Sequence, residues 1–312
     1  MDILESRAYL DRLLAVRRPG EAHILAFYEH RVGAICRDPR LMLMPLDDHL
    51  AHRGDGVFES MKFENRRLYQ LDEHIERMER SAAGLHLAPP CSWAKLREVV
   101  IEVARASGEE HGSIRVLIGR GPGGFGIDPD ESPVSSLYVV AYRFTPKPEA
   151  WFAKGLRAFR SSIPAKQGYL ARIKNANYLP NVLMTREAKE RGLDVAFSFD
   201  DDGFLAEAAI ANVAIVDAGG TLCVPEFTNA LAGTTVLRAV DLVKGEMPVT
   251  FRRIPEDDLY RAREVLVLGT SNDCVGVVSF EGHDIGDGKV GPVARRLRAV
   301  LQQDLMDKGL PL

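Results

Sequence analysis

Apolar segments of strand length come in runs in this 312-residue chain, and helical patterns do not separate each one from the next. Residues 23–36 and 40–46 read as strands, and residues 57–63 and 68–71 read as two more, joined by a turn at Glu64-Asn65. In the second half, 194–199 and 204–206 flank the turn Asp200–Gly203, and strands near 212–216 and 221–224 follow. A doubly wound parallel sheet needs a helix between successive strands, so this order predicts an α+β fold instead.

Helical spacing supplies the rest. Ile3, Leu10, Leu13, Leu14 and Val16 predict a leading helix ended by Pro19-Gly20. Asp72 can cap a helix over 72–86, whose apolar stripe is Ile75, Met78, Ala82 and Leu85. Further helices are expected at 92–107, 179–191, 233–244 and 290–308, and further strands at 113–119, 136–144, 156–162 and 264–268. A proline-bearing stretch joins the two patterned halves. It predicts an N-terminal α+β domain over 1–145 that includes the leading helix, a linker at 146–155, and a C-terminal α+β domain over 156–312.

With 40 basic against 44 acidic side chains the net charge is −4, which argues against a general nucleic-acid binder. Cys36, Cys91, Cys223 and Cys274 form no C-x-x-C pair, so no zinc site is expected and free thiols in a reducing compartment are. The first residues lack the apolar core of a secretory signal, and no apolar run approaches the roughly 20 residues that span a bilayer. A cytoplasmic location without membrane partners is the expectation.

Gly121-x-Gly123-x-x-Gly126 matches a dinucleotide fingerprint in letters only. The fingerprint needs a helix directly after it, and here Ile127–Pro133 reads as a loop. A glycine loop lining a pocket is the better reading.

Chemistry gathers in the second half. Lys174 lies in Ile173-Lys174-Asn175-Ala176-Asn177-Tyr178-Leu179, otherwise apolar or amide-bearing, just before a helix. Taken alone it is either a solvated surface lysine or a partly buried nucleophilic amine. Glu207 precedes a run of small and apolar residues, where a carboxylate needs a partner. It is either an edge-strand residue facing water or the acceptor for a protonated heterocyclic nitrogen. Leu231-Ala232-Gly233-Thr234-Thr235 before a helix, and Leu268-Gly269-Thr270-Ser271-Asn272 after a strand, suit a phosphate, though each is also an ordinary cap or turn. Arg77 is either a counter-charge for that phosphate or a surface arginine.

Together and in this order these segments resemble the fold-type IV pyridoxal-phosphate enzymes, aminotransferase class IV. The resemblance runs from about residue 25 to the C-terminus. It includes Gly54–Glu59, Leu71–Ile75 with Arg77 and Ser81, Ile173–Leu179, Glu207 with Asn212, Gly233–Thr235, Gly269-Thr270 and Ile285–Pro292. It implies two α+β domains with pyridoxal 5'-phosphate between them, in a homodimer whose subunits complete each other's pockets. It further implies that Lys174 joins the cofactor covalently and then shuttles a proton. Glu207 would pair with the pyridine nitrogen, and Tyr178 would reach the phenolic oxygen. Arg77, Thr234, Thr235 and Thr270 would hold the phosphate.

Within the family, D-amino acid aminotransferases carry an arginine and a histidine in the loop that here reads Gly121–Pro129, with neither residue. Aminodeoxychorismate lyases tend to carry an arginine there, where this chain has Phe125. The loop looks more like the branched-chain type. Arg115 matches a position near the substrate carboxylate in branched-chain enzymes, and is otherwise a strand arginine facing solvent. Arg53 replaces an aromatic residue and could favour a second carboxylate. Phe58 and Phe125 would be apolar walls, and Ser271 would sit beside the substrate. The expectation is an aminotransferase acting on an amino acid of L, branched-chain-like type and a 2-oxo acid such as 2-oxoglutarate. A lyase, a D-amino acid aminotransferase and a non-catalytic relative are the alternatives.

Overall fold

Short links between apolar runs close hairpins, and hairpins build the first part of the chain. The computed structural model describes residues 1–312 and divides into two units, Met1–Thr145 with Leu310–Leu312, and Pro146–Gly309. The leading helix α1 (Ser6–Ala15) buries none of its residues. After it come β1 (Ile24–Glu29), β2 (Ala34–Cys36), the one-turn helix α2 (His49–His52), β3 (Gly56–Glu64) and β4 (Arg67–Leu68). The helices α3 (Leu71–Gly84) and α4 (Trp93–Ala106) lead to β5 (Gly112–Gly119) and β6 (Ser136–Tyr142).

The strands form one antiparallel sheet in the order β4-β3-β5-β6-β1-β2. Register runs unbroken from Gly56↔Gly119 to Phe63↔Gly112, which sets Ser60 against Arg115 and Phe58 against Leu117. Helix α3 packs on β3 through a face that includes Leu71, Ile75, Met78 and Ala82, together with the buried polar residues His74 and Arg77. Ser92 caps α4 by accepting from the Lys95 amide at 3.2 Å.

One expectation is corrected here. Residues 40–46 form no strand: Pro39–Leu41 makes a single tight turn, and Pro45 brings no amide to a ladder. The stretch 146–155 carries the helix α5 (Glu149–Lys154) and groups with the second unit.

The second unit continues with β7 (Leu156–Arg160), α6 (Gly168–Ala171), α7 (Leu179–Arg191), β8 (Val195–Phe199), β9 (Leu205–Ala208), β10 (Asn212–Val216) and β11 (Leu222–Pro225). Next are α8 (Thr234–Leu242), β12 (Val249–Arg252), α9 (Glu256–Arg261), β13 (Glu264–Gly269), β14 (Asp273–Phe280), β15 (His283–Asp284) and α10 (Pro292–Lys308). Its sheet is mixed, in the order β12-β11-β10-β13-β14-β7-β8-β9. A further pairing of β9 with β10, at Glu207↔Asn212, closes six of these strands into a ring. Phe197, Phe199, Val213, Val265, Val277 and Phe280 fill one side of the sheet, and α8 and α10 bury the other through Val236, Ala239, Leu297 and Leu301. The last strand, β16 (Leu310–Pro311), pairs with β4 in the first unit. No helix is long and apolar enough to cross a membrane.

Candidate active site

The segment that carries Lys174 is irregular, and one buried amide holds it together. Asn175 donates from Nδ2 to the carbonyls of Leu170 and Ile173, each at 3.2 Å, and accepts the Asn177 amide at 3.0 Å. Knitted this way, the backbone leaves Lys174 half-buried directly ahead of α7. Its Nζ donates to the Tyr178 hydroxyl at 3.3 Å. Asn181 on α7 donates to the carbonyl of Ala209, so the segment is tied to the end of β9.

Glu207 stands on β9 where the ring of strands closes. Its Oε2 accepts the Leu231 amide at 3.1 Å, so the carboxylate touches the loop that leads into α8. Asn212, its cross-strand partner, donates to the Leu231 carbonyl at 2.8 Å. No side chain caps α8, whose N-cap is Gly233, while Thr234 and Thr235 are buried in its first turn. A Cβ at Gly233 would come within 1.9 Å of the Asn212 Oδ1, so the backbone there lies against Asn212. Thr270 and Ser271 occupy the tight turn between β13 and β14, with Gly269 paired to Asp273 and closed by the Asn272 amide. Ser271 is exposed.

Sequence reasoning passed over Lys166. Its Nζ lies 4.2 Å from the centroid of the Tyr178 ring, on the same segment as Lys174. Burial pushes its ammonium down from the ordinary lysine value, and the Glu207 carboxylate offsets part of that. Residues 161–168 carry no periodic pattern, so nothing in the sequence pointed to it.

In the first unit Arg77 is a buried residue with a buried partner. Its Nε donates to Glu59 Oε1 at 2.7 Å, one Nη donates to Oε2 at 2.8 Å, and His74 Nδ1 sits 2.7 Å from the same Oε2. Glu59 has no exposed surface. Burial alone would push its carboxyl up, but Arg77 and then His74 outweigh it and hold the group far below the ordinary carboxylate range. A surface position for Arg77 is excluded.

Arg115 lies beside Phe58, its guanidinium 5.0 Å from the ring centroid. One Nη reaches the Tyr142 hydroxyl at 3.5 Å, and the buried Nε has no partner. The strand arginine therefore does not face open solvent. Arg53 donates to the carbonyls of Phe125 and Gly126, at 2.5 and 3.0 Å. Its guanidinium thus fastens the glycine loop. That loop wraps the Glu131 side chain, which accepts the Gly126 amide at 3.0 Å, and no helix of useful length follows it. Gly121, at φ +108°, passes so close to the Val134 carbonyl that a Cβ would not fit. Phe125 points outward, 68% exposed, with its ring 5.3 Å from that of His52.

A half-buried lysine amine, a carboxylate fixed by a backbone amide and an uncapped helix start with buried threonines all belong to the second unit. The family model for amino-transferase class IV matches residues 56–280, and the chain belongs to that family. Among curated relatives it is 34% identical to the D-amino-acid transaminase, chloroplastic, of Arabidopsis thaliana, over 97% of this chain and 82% of the relative. It is 31% identical to a putative branched-chain-amino-acid aminotransferase of Methanocaldococcus jannaschii, over 80% of this chain and 87% of the relative. The T.th. branched-chain amino acid aminotransferase with pyridoxamine 5'-phosphate superposes at a TM-score of 0.86. It is 27% identical over 91% of this chain and 95% of that one. Its complex with N-(5'-phosphopyridoxyl)-L-glutamate superposes at 0.85. The protein is a pyridoxal-phosphate-dependent aminotransferase of the fold-type IV architecture. The residues present fit that cofactor: Lys174 for the aldehyde carbon, Glu207 for a protonated ring nitrogen, and the α8 start for a phosphate.

Proposed function

We propose that the enzyme moves an amino group from an L-amino acid with a branched apolar side chain to 2-oxoglutarate. One observation carries this reading. Arg115 presents a buried, unpartnered Nε beside the apolar face of Phe58. A cation for a carboxylate next to an apolar wall is what such a substrate needs. The T.th. relative holding an L-glutamate adduct supports the acceptor. A second reading, D-amino acids, is favoured by the Arabidopsis relative. Paired L and D forms of leucine, valine, alanine and glutamate, each offered with 2-oxoglutarate, test the two. Turnover of L-leucine above D-alanine supports the first, and the reverse order replaces it with the second.

When bound, pyridoxal phosphate supplies an electron sink for the charge left on a substrate carbon that has lost its proton. The chain supplies the rest. Lys174 would hold the cofactor, and its free amine would take the proton from the substrate Cα and return one. Glu207 would accept a hydrogen bond from the ring nitrogen and favour its protonated form. Tyr178 would donate toward the phenolic oxygen. Thr234, Thr235 and Thr270, with the first amides of α8, bind the phosphate. Arg77 carries the matching charge, fixed in orientation by Glu59. Arg115 binds the substrate carboxylate, Phe58 and Phe125 wall the side chain, and Ser271 lies at the rim. Arg53 serves by shaping the loop that carries Phe125.

Two coarser features complete the reading. Exposed Leu41, Leu43, Leu46, Phe125, Ile127 and Val134 in the first unit form apolar surface suited to a second copy of the chain, and we assign a homodimer. Four unbridged cysteines suit the cytoplasm. Sedimentation of the purified protein checks the first, and localisation of a tagged chain the second.

A further inference from the structure

Two lysines approach one tyrosine. Lys174 Nζ is hydrogen-bonded to the Tyr178 hydroxyl and lies 5.6 Å from the ring centroid, while Lys166 Nζ lies 4.2 Å from the same centroid. The two amines are therefore no further apart than the sum of those distances. Lys166 also lines a 240 Å³ cavity with Asp200, Asp201 and Asp202. Those carboxylates have other uses: Asp200 and Asp202 pair with Arg253, and Asp200 also takes amides of its own turn and the Asn229 side chain. Asp201 is exposed. Arg172, on the same segment, is exposed and turned to the Gly168 carbonyl. Lys166 stands over the Tyr178 ring, and the Glu207 carboxylate acts on Lys166.

We propose that Lys166 is a positioning residue for the reaction, a fixed cation over Tyr178 that holds the Lys174–Tyr178 pair in its less protonated form at neutral pH. A neighbouring positive charge disfavours a second one and favours an anion, so it eases proton loss from an ammonium and from a phenol alike. The effect is largest where burial has removed water. The consequence is chemical. Only the neutral amine of Lys174 has a lone pair to attack a carbonyl carbon; the ammonium proton leaves to solvent beforehand, and as the C=N bond replaces the C=O bond the oxygen departs as water with the two remaining amine hydrogens. Burial works against the charge on Lys166, and the Glu207 carboxylate offsets part of that and favours the proton there. The inference relies on the proposed role of Lys174 for its purpose, but its test does not depend on turnover.

The test is a tyrosinate absorbance titration of the full chain freed of cofactor. Each variant is compared with its Tyr178→Phe counterpart, so that the difference reports Tyr178. Lys166→Met removes the charge, Lys166→Arg keeps it, and Lys166→Gln replaces Met should that variant not fold. The expected result is a Tyr178 midpoint raised by about one to three pH units in Lys166→Met and unmoved in Lys166→Arg. In the holoenzyme, the pH at which the visible cofactor band changes moves in the same sense. A midpoint unmoved in Lys166→Met, or moved equally by Met and Arg, overturns the proposal. Either result leaves the aminotransferase reading standing, since that one fails only if Lys174→Ala retains turnover.

Discussion

Glu59 and Arg77 meet as a two-point ion pair, Nε to Oε1 at 2.7 Å and Nη to Oε2 at 2.8 Å, with the carboxylate wholly buried between β3 and α3. Each charge would be costly alone at that depth, so the pair fixes an arginine that could otherwise sample many rotamers.

Glu59→Ala therefore leaves Arg77 and His74 without their acceptor. Urea denaturation is expected to show a loss of about 3–5 kcal/mol. A loss below about 1 kcal/mol contradicts the burial of the pair.

The same carboxylate sets an acid limit. Its folded value lies below the unfolded one, so the stability it contributes is present above the unfolded value and lost as pH falls. Unfolding free energy is expected to decline from about pH 5 downward, through the ordinary glutamate value of about 4.3. A Glu59→Gln variant should show a shallower decline over that range. Identical slopes for the two proteins remove Glu59 as the cause.

Arg115→Leu separates binding from stability. Removing one charge-assisted contact worth about 1.5–3 kcal/mol should raise KM for the amino donor about 10–100-fold. Melting temperature should stay level or rise, because the wild-type Nε is a buried donor without a partner. A fall in melting temperature with an unchanged KM would make Arg115 a purely structural residue.

Arg53→Ala releases the two carbonyls that fasten the glycine loop. Amide hydrogen exchange should quicken within 121–127 and leave α8 unchanged. No change in the loop would mean that the wrap around Glu131 holds it alone.

Much of this was legible in the letters. Helices expected at 72–86, 92–107, 179–191, 233–244 and 290–308 form at Leu71–Gly84, Trp93–Ala106, Leu179–Arg191, Thr234–Leu242 and Pro292–Lys308. Each has an apolar stripe, a cap, or a glycine or proline at its boundary, and such signals are local. What escaped depends on distant partners. Strand β14, Asp273–Phe280, went unread because it lies between two neighbours and carries no alternation. The residues around Arg77 left its burial open, because its partner Glu59 is on another element. Lys166 and Tyr178 are 12 positions apart, and only the fold of the segment between them brings an ammonium over the ring. Lys174, Glu207 and the Gly233 start were singled out because order along the chain, which a sequence keeps, carried the resemblance.

The central claim is that Lys174 carries the cofactor. Borohydride reduction of the holoenzyme, followed by peptide mapping, tests it most directly. The account predicts that the visible band collapses and that the phosphopyridoxyl label lies on the peptide containing Lys174, with Lys174→Ala showing neither label nor turnover. A label on Lys166 or another lysine, or a Lys174→Ala enzyme that turns over at the wild-type rate, would contradict it.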